Sequence, residues 1–229
     1  PCGPCSEIYY DRGEKYGCGK PDCTVGCDCD RYMEFWNLVF TQFERHEDGT
    51  YTPLAQKNID TGMGLERVTA ILEGVNDNYL SSIWKDVIEK ICEISNTKYE
   101  DNKQSIRIIA DHIRTSVFIS ADYSGIKPSN VGQGYILRRL IRRAIRHAKK
   151  LNIDINSNWD KEIALMIIDK YSKYYSEVVD NKDVVLEVLQ TEKNKFNRTL
   201  EKGLKEFEKV TTGYAFDVLD KDIAFKLYD

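Results

Sequence analysis

The clearest alternation of side chains in this sequence lies between residues 32 and 54. One face of this segment collects Met33, Phe35, Asn37, Val39, Thr41 and Phe43, and the other collects Trp36, Leu38 and Phe40. Because both faces carry bulky apolar groups, the pattern predicts a central β-strand covered on both sides. Residues 47–50 (Glu-Asp-Gly-Thr) are typical of a hairpin turn and predict a short return strand.

The spacing of the apolar residues changes to three and four after a glycine turn at residues 62–64. It predicts helices over residues 65–72, 81–94, 105–120, 134–150, 160–174 and 182–208. The last of these is heavily charged, and no heptad pattern persists along it, which favours a solvated face over a coiled coil. Residues 101–103 are typical of a linker, so we expect a boundary near residue 100. The predicted fold class is α+β, with a sheet-bearing domain (1–100) before an all-helical one (101–229).

Composition narrows the class of protein only slightly. The 229 residues are 41% hydrophobic and 31% charged, as in ordinary globular domains. No apolar run is long enough to cross a bilayer. The chain begins Pro-Cys-Gly-Pro instead of with Met and a basic stretch, so we expect no signal peptide and an internal piece of a longer chain. The net charge of −4 does not indicate a nucleic-acid binder, but charge is unevenly distributed.

The basic charge gathers on one predicted helix. Residues 134–151 contain seven Lys or Arg residues and no acidic one. Arg138, Arg139, Arg142 and Arg143 flank an apolar stripe, which suits a helix that packs on one side and offers charge to a phosphate backbone on the other. The alternative is a solvated basic face that pairs with nearby acidic residues.

Four cysteines crowd into a loop rich in Gly and Asp. Cys18, Cys23, Cys27 and Cys29 could bind a tetrahedral Zn²⁺ ion. Their spacing is not a clean pair of CxxC knuckles, so reduced thiols without a metal are the favoured alternative. Six of the seven cysteines lie within the first thirty residues, which is not a framework of disulfides for the whole chain. We therefore expect a cytoplasmic protein.

Residues 60–67 carry the most suggestive chemistry. Gly62 and Gly64 would let a ligand approach the backbone closely. Asp60 offers a carboxylate to an ammonium group, and Arg67 offers a planar guanidinium to a phosphate. The same residues are also compatible with an ordinary glycine turn, an N-cap Asp and a surface Arg. On spacing alone that alternative is favoured, because a short Gly-rich turn is a weak signal.

Four segments together resemble one family. They are CGPCSEI (2–8), EFWNLVF (34–40), IDTGMGLER (59–67) and GYILRRLIRRA (134–144). The third resembles motif 3 of class II aminoacyl-tRNA synthetases in the form found in alanyl-tRNA synthetases, and the others occur in that family in the same order. FKLYD (225–229) resembles the start of a further family segment. The resemblance implies the C-terminal half of a class II antiparallel-sheet catalytic domain followed by a helical tRNA-recognition domain.

The resemblance also implies residue roles in the catalytic domain. Asp60 would bind the ammonium group of alanine, Asn37 would orient the amino acid, Val39 would wall the methyl pocket, and Gly62 would let the substrate lie against the backbone. Gly64 and Arg67 would contact ATP, whose phosphates carry Mg²⁺. Glu34 could help to hold Mg²⁺, but strict alternation places it on the opposite strand face from Asn37.

Further implied roles concern tRNA(Ala). Asn130 would read the G·U pair of the acceptor stem with Asp229 as its partner, and the arginines of residues 138–143 would face the same stem. The implied activity is ATP-dependent formation of alanyl-adenylate and transfer of alanine to the tRNA 3′ end. Motifs 1 and 2 would lie upstream and the editing domain, with the family's known zinc site, downstream. We expect residues 1–229 alone to be inactive.

Three other hypotheses remain open from the sequence. The chain could be an RNA-binding module without catalysis, a zinc-stabilised interaction domain, or a paralogue that only edits mischarged tRNA. The presence of Asn37, Asp60 and Arg67 together favours the enzyme. His112 follows an Asp on an apolar helix and receives no functional role.

Overall fold

The computed structural model of the protein describes residues 1–212 and 220–228, with side chains up to residue 225. It divides into two compact units, Pro1–Asp86 and Val87–Asp229. The boundary expected near residue 100 separates a catalytic domain from a tRNA-recognition domain. Compactness alone does not test such a functional division, so it stays a prediction. Among the described residues, no helix is both long and apolar enough to cross a lipid bilayer.

The first unit is built on a three-stranded antiparallel sheet. Its strands are β1 (Cys5–Asp11), β2 (Tyr32–Arg45) and β3 (Tyr51–Met63), in the spatial order β1-β2-β3. A turn with Gly49 at φ 83° joins β2 to β3, as the sequence predicts. Helix α1 (Leu65–Leu72) follows, and short 3₁₀ turns occupy Glu14–Tyr16 and Asn78–Leu80. The predicted antiparallel sheet and the central position of β2 are confirmed.

The sheet differs from the prediction in how far it is covered. No residue of the three strands is buried, and the residues of β2 are half-buried or exposed. The expectation that β2 is covered on both sides is therefore wrong for this chain, because residues 1–86 supply no second layer over either face. The return strand is also longer than expected, and its pairing with β2 is irregular between Thr41 and Phe43.

The second unit is helical. After α2 (Lys85–Ser95), which begins at the end of the first unit, come α3 (Tyr99–Ala121), α4 (Gly132–Lys150), α5 (Trp159–Tyr171), α6 (Ser176–Asp180), α7 (Lys182–Thr211) and α8 (Lys221–Tyr228). The predicted helices are observed with ends shifted by a few residues. The predicted linker at residues 101–103 lies inside α3, where Asn102 leaves helical geometry (φ −138°, ψ 30°) and kinks the helix.

The helical unit has a closed apolar core. Ile106, Ile109 and Ile113 recur at helical spacing on α3, and each is at most 1% exposed. They pack chiefly with α4, whose Leu137 and Ile141 are at most 2% exposed. The amphipathic pattern of both helices thus follows directly from which face each one buries.

Helix α7 buries some of its charge. Lys193 Nζ lies 2.5 Å from Asp160 Oδ1, with the two side chains 1% and 3% exposed. Arg142 Nε lies 2.6 Å from Glu192 Oε1, whose side chain is 4% exposed. Most charged residues of this helix are exposed, as expected for a solvated face, but Glu192 and Lys193 are buried. Buried charges need partners, and these come from α4 and α5, far away in sequence.

Candidate functional site

The register of the sheet brings together the four residues expected to bind alanine. Asn37 of β2 lies opposite Gly62 of β3, and Val39 lies opposite Asp60. Directly opposite residues in an antiparallel pair project to the same face of the sheet. Two adjacent cross-strand pairs therefore place an amide, a carboxylate, a branched apolar side chain and a glycine on one surface. Asp60 and Gly62 are exposed, so a ligand can reach this surface.

Glu7 joins the same surface from β1. It lies opposite Asn37, and Asn37 Nδ2 donates to Glu7 Oε1 at 3.0 Å. Tyr9 Oη donates to the other carboxylate oxygen at 2.5 Å. That hydrogen bond raises the pKa of Tyr9 to about 12, since the phenol proton is held by an anion. Glu7 therefore orients Asn37 and is itself held by Tyr9.

The contact with Glu7 also decides which way the Asn37 amide points. Its Nδ2 group is used by Glu7, which leaves the Oδ1 oxygen as an acceptor. Asp60 adds an exposed carboxylate across the neighbouring strand pair. The surface thus offers several oxygen acceptors and no basic side chain among Glu7, Asn37, Val39, Asp60 and Gly62. Such a set suits a cation with N–H donors, such as an ammonium group.

A β-bulge changes the face on which Glu34 lies. The β1–β2 register shifts between Ile8 and Tyr9, so Tyr9 lies opposite Glu34 and Phe35 has no partner in β1. The charge of Glu34 contributes, after Glu7, to the raised pKa of Tyr9. The expectation that Glu34 lies on the opposite face from Asn37 assumed strict alternation, and a bulge breaks that alternation.

Arg67 lies where β2 meets the start of α1. Gly64 N–H donates to Phe35 O at 2.9 Å, and Arg67 Nη1 donates to the carbonyl oxygen of Glu34. The N-cap residue of α1 is Gly64 and not Asp60, so no side chain caps the start of this helix. The alternative in which Asp60 serves as an N-cap is therefore wrong. The Arg67 side chain is anchored at one nitrogen and remains exposed, which leaves donors for an anion.

Gly62 has open space where a side chain would be. A Cβ atom built there would meet no atom within 4 Å. Sterics inside the chain therefore do not require glycine at this position. The backbone beside Asp60 is therefore open, and the role expected for Gly62 stays a prediction.

The four loop cysteines lie close together. Cys18 Sγ is 3.7 Å from Cys27 Sγ, and Cys23 Sγ is 3.6 Å from Cys29 Sγ. All four sulfur atoms lie within 4.8 Å of one another, so the loop could hold a metal ion. Backbone hydrogen bonding from Arg31 lowers the pKa of the Cys29 thiol to about 7, and hydrogen bonding from Lys20 lowers that of Cys18.

The arginines of the basic face of α4 differ in exposure and in their contacts. Arg142 is engaged by Glu192 and lies over the Phe196 ring at 5.2 Å. Arg138 donates to Asn130 Oδ1 in the preceding turn and lies 5.4 Å from the Tyr135 ring centroid. Arg139 and Arg143 are exposed. A nearby cleft of about 600 Å³ is lined by Gln104, Arg143, Arg146, His147, Lys149 and Lys150. The expected partner Asp229 lies outside the described residues.

The turn that carries Asn130 depends on Gly134. Ser129 N–H donates to Gly134 O at 3.0 Å, and Ser129 Oγ donates to Val131 O at 2.8 Å. A Cβ atom at Gly134 would lie 2.3 Å from Lys127 O and 2.5 Å from Ser129 Oγ. Only glycine fits there without displacing the turn. The sequence pattern gave no sign of this constraint.

Comparison with known proteins decides the family. The model of the family described as tRNA synthetases class II (A) matches residues 1–229, the whole chain. The chain belongs to this class II synthetase family. It is similar to proteins named alanine–tRNA ligase, with 46% identity to that of Alkaliphilus oremlandii, 47% to that of Clostridioides difficile and 48% to that of Caldicellulosiruptor saccharolyticus. Each alignment covers 100% of this chain and 26% of the relative.

Within this class II synthetase segment, the sequence pattern did not predict that Glu7 belongs to the candidate site. Alternation along β1 places Glu7 and Tyr9 on one face, but it does not tell which β2 residues lie opposite. The pairing of Arg142 with Glu192 was missed for the same reason, because 50 positions separate the two residues. The roles expected for the remaining site residues stay predictions.

Proposed function

We propose that this chain is part of an alanine–tRNA ligase and forms one side of its alanine and ATP site. The observation that supports it most strongly is the pair of cross-strand contacts, Asn37 with Gly62 and Val39 with Asp60. The residues expected for alanine thus share one face of the sheet, on which Asp60 and Gly62 are exposed. The resemblance of the whole chain to proteins named alanine–tRNA ligase supports the same conclusion.

In the proposed first step, the alanine ammonium group binds the Asp60 carboxylate and Asn37 Oδ1. Val39 contacts the methyl group, and Gly62 leaves room for the substrate against the strand. The alanine carboxylate oxygen attacks the α-phosphorus of ATP, which enters as its Mg²⁺ complex. The α–β phosphoanhydride bond breaks, and pyrophosphate leaves with the bonding electrons.

Arg67 contacts the phosphates. The contribution of the chain is positioning and charge stabilisation, with no covalent nucleophile.

In the proposed second step, a ribose hydroxyl of the terminal adenosine of tRNA(Ala) attacks the acyl carbon of alanyl-adenylate, and AMP leaves. Asn130 faces the acceptor stem in this proposal. Because Arg138 engages Asn130 Oδ1, the Nδ2 group remains available to donate to a base pair. The exposed Arg139 and Arg143 contact phosphates, and Arg142 supports α4 through Glu192. Asp229 remains the proposed partner of Asn130.

The decisive experiment measures alanine-dependent ATP–pyrophosphate exchange by the full-length protein. We expect Asp60→Ala to lower kcat/KM for alanine by about 100-fold or more, since losing one partner of a charge pair costs several kcal/mol. Asp48→Ala removes the same charge from the exposed hairpin turn and serves as the matched control. Equal kcat/KM values for the Asp60 and Asp48 variants would contradict the proposal.

A second measurement concerns residues 1–229 on their own. The chain spans about a quarter of the length of the relatives it matches, 26% in each case. We expect it to show no ATP–pyrophosphate exchange, because motif 2 and its phosphate-binding Arg are not found in this sequence. Exchange by the isolated chain would refute this expectation.

The tRNA side of the proposal has its own test. Asn130→Ala in the full-length protein should weaken discrimination between tRNA(Ala) and a variant with G·C in place of the acceptor-stem G·U pair. Asn194→Ala, an exposed position of α7, is the control. Unchanged discrimination in the Asn130 variant would rule out this role.

A second candidate function is RNA binding without catalysis. The exposed arginines of α4 and the basic cleft beside them favour it. It predicts salt-sensitive tRNA binding by the full-length protein with no alanine-dependent exchange, whereas the ligase shows both.

A further inference from the structure

The loop between β1 and β2 has a geometry that neither catalysis nor RNA binding explains. Its cysteine sulfur atoms pair at 3.7 Å (Cys18–Cys27) and 3.6 Å (Cys23–Cys29). A disulfide would bring two sulfur atoms to about 2.05 Å. Two thiolates bound to one tetrahedral Zn²⁺, with Zn–S bonds of about 2.3 Å, lie about 3.8 Å apart. These two separations exclude a disulfide and are close to the tetrahedral value, and all four sulfur atoms lie within 4.8 Å of one another.

The backbone of this loop turns twice to bring the thiols together. Cys23 N–H donates to Lys20 O at 3.2 Å, and Cys27 N–H donates to Thr24 O at 3.1 Å. Gly19 and Gly26 take left-handed conformations, with φ of 74° and 92°, immediately beside Cys18 and Cys27. Two successive tight turns thus present the sulfur atoms inward, although the sequence spacing is not that of paired CxxC knuckles.

The loop is fixed at its base but lacks an apolar core. Arg31 donates from Nε and Nη2 to the two carboxylate oxygens of Asp11, both at 2.9 Å, and Arg12 N–H donates to Arg31 O at 2.9 Å. Beyond this clamp, none of residues 12–31 is buried. A loop of this length without buried side chains needs another source of order, and a bound metal ion is one such source.

We propose that Cys18, Cys23, Cys27 and Cys29 bind one structural Zn²⁺ ion. A site of four sulfur ligands selects zinc or iron, and four protein ligands leave no open position for catalysis. The ion would crosslink the loop whose two ends continue into the strands that carry Glu7 and Asn37. This proposal does not depend on the proposed ligase activity.

The test measures metal content in the full-length protein by elemental analysis. Cys27→Ser should contain one zinc per chain less than the wild type. Cys92→Ser removes a free, half-buried thiol of α2 and should match the wild type. The difference in zinc content between wild type and variant is not affected by zinc bound elsewhere in the full-length protein. Equal zinc in the Cys27 variant and the wild type, or loss of iron instead of zinc, would overturn the proposal.

Two further measurements apply even where Cys27→Ser fails to fold. Cys27→His should retain the zinc, because three cysteines and one histidine also form structural zinc sites. In the wild type, a chelator should speed tryptic cleavage of the loop after the exposed Lys15, and added Zn²⁺ should reverse this. Cleavage that ignores both chelator and Zn²⁺ would overturn the proposal. Since these readouts do not involve alanine, their failure is distinguishable from failure of the ligase proposal.

Discussion

The helical unit and the sheet unit of this chain differ in how much of their own core they contain. In α3 and α4, Ile109 is 0% exposed and Ile141 is 2% exposed. In the sheet no strand residue is buried, and Ile59 of β3 is 60% exposed. Only Ala70, Ser81 and Trp84 are buried within residues 1–86. The helices complete a core from their own residues, whereas the sheet does not.

This difference bears on where the candidate site lies. The face that carries Asn37 and Asp60 belongs to the less buried unit, and elements with few buried contacts are the ones that open most readily. The relatives are about four times as long as the region they share with this chain, which is 26% of each. On the proposal that this chain is part of a ligase of that length, the rest of the protein would cover the sheet, whereas the core of the helical unit comes from residues of this chain.

The largest expected effect is on the buried ion pair of the helical unit. Lys193→Met leaves the Asp160 carboxylate buried without its partner at 2.5 Å, so we expect a loss of about 3–5 kcal/mol in the free energy of unfolding. Urea unfolding followed by circular dichroism measures it. Lys195→Met, at an exposed position two residues away, should change stability by no more than about 0.5 kcal/mol. Similar values for the two variants would contradict the account.

The next effect compares one isoleucine from each unit. Ile109→Ala, at a position 0% exposed, should cost about 2–5 kcal/mol because it opens a cavity. Ile59→Ala, at a position 60% exposed, should cost no more than about 0.5 kcal/mol in residues 1–229. Urea unfolding of both variants tests the comparison. In the full-length protein the cost at Ile59 should rise, and an equally small cost there would show that the sheet face stays uncovered.

Substitutions at two glycines, one in each unit, test the comparison between the helical unit and the sheet unit further. Gly134→Ala brings a Cβ atom to 2.3 Å from Lys127 O and should cost about 1–3 kcal/mol of stability. Gly62→Ala meets no atom within 4 Å, so it should leave stability nearly unchanged but raise KM for alanine in the full-length protein. Thermal unfolding and ATP–pyrophosphate exchange separate the two effects. A destabilised Gly62 variant with a normal KM for alanine would contradict the distinction between a structural Gly134 and a substrate-binding Gly62.

The smallest effect concerns pH. Burial, and then the charges of Arg143 and Arg146, lower the pKa of His147 below its ordinary value of 6.5. The unfolded chain therefore binds more protons than the folded one just below pH 6.5, and stability falls as the pH drops through that range. His147→Gln should flatten the decline, measured by unfolding across pH 5–8 (roughly the range in which histidine titrates). The exposed His46→Gln is the control, and an unchanged slope in the His147 variant would contradict the assignment.

What the sequence predicted well is what depends on local pattern. The amphipathic spacing of α3 and α4 and the turn at residues 47–50 are local signals, and both elements are observed. The bulge that moves Glu34, the bond from Asn37 to Glu7 and the pairing of Arg142 with Glu192 depend on which distant residues meet. Period-two alternation cannot reveal a bulge, since one extra residue reverses the expected faces.

The open edges of the sheet have a practical consequence. Within residues 1–86, β1 and β3 each have only β2 as a neighbour, so their outer backbone N–H and C=O groups face away from any strand. On β3, the 13-residue edge also exposes Tyr51, Ile59 and Met63. A long unpaired strand edge with exposed apolar side chains is a template for pairing with another copy. Solutions of residues 1–229 should therefore aggregate through the sheet as concentration rises, whereas residues 87–212 should stay dispersed.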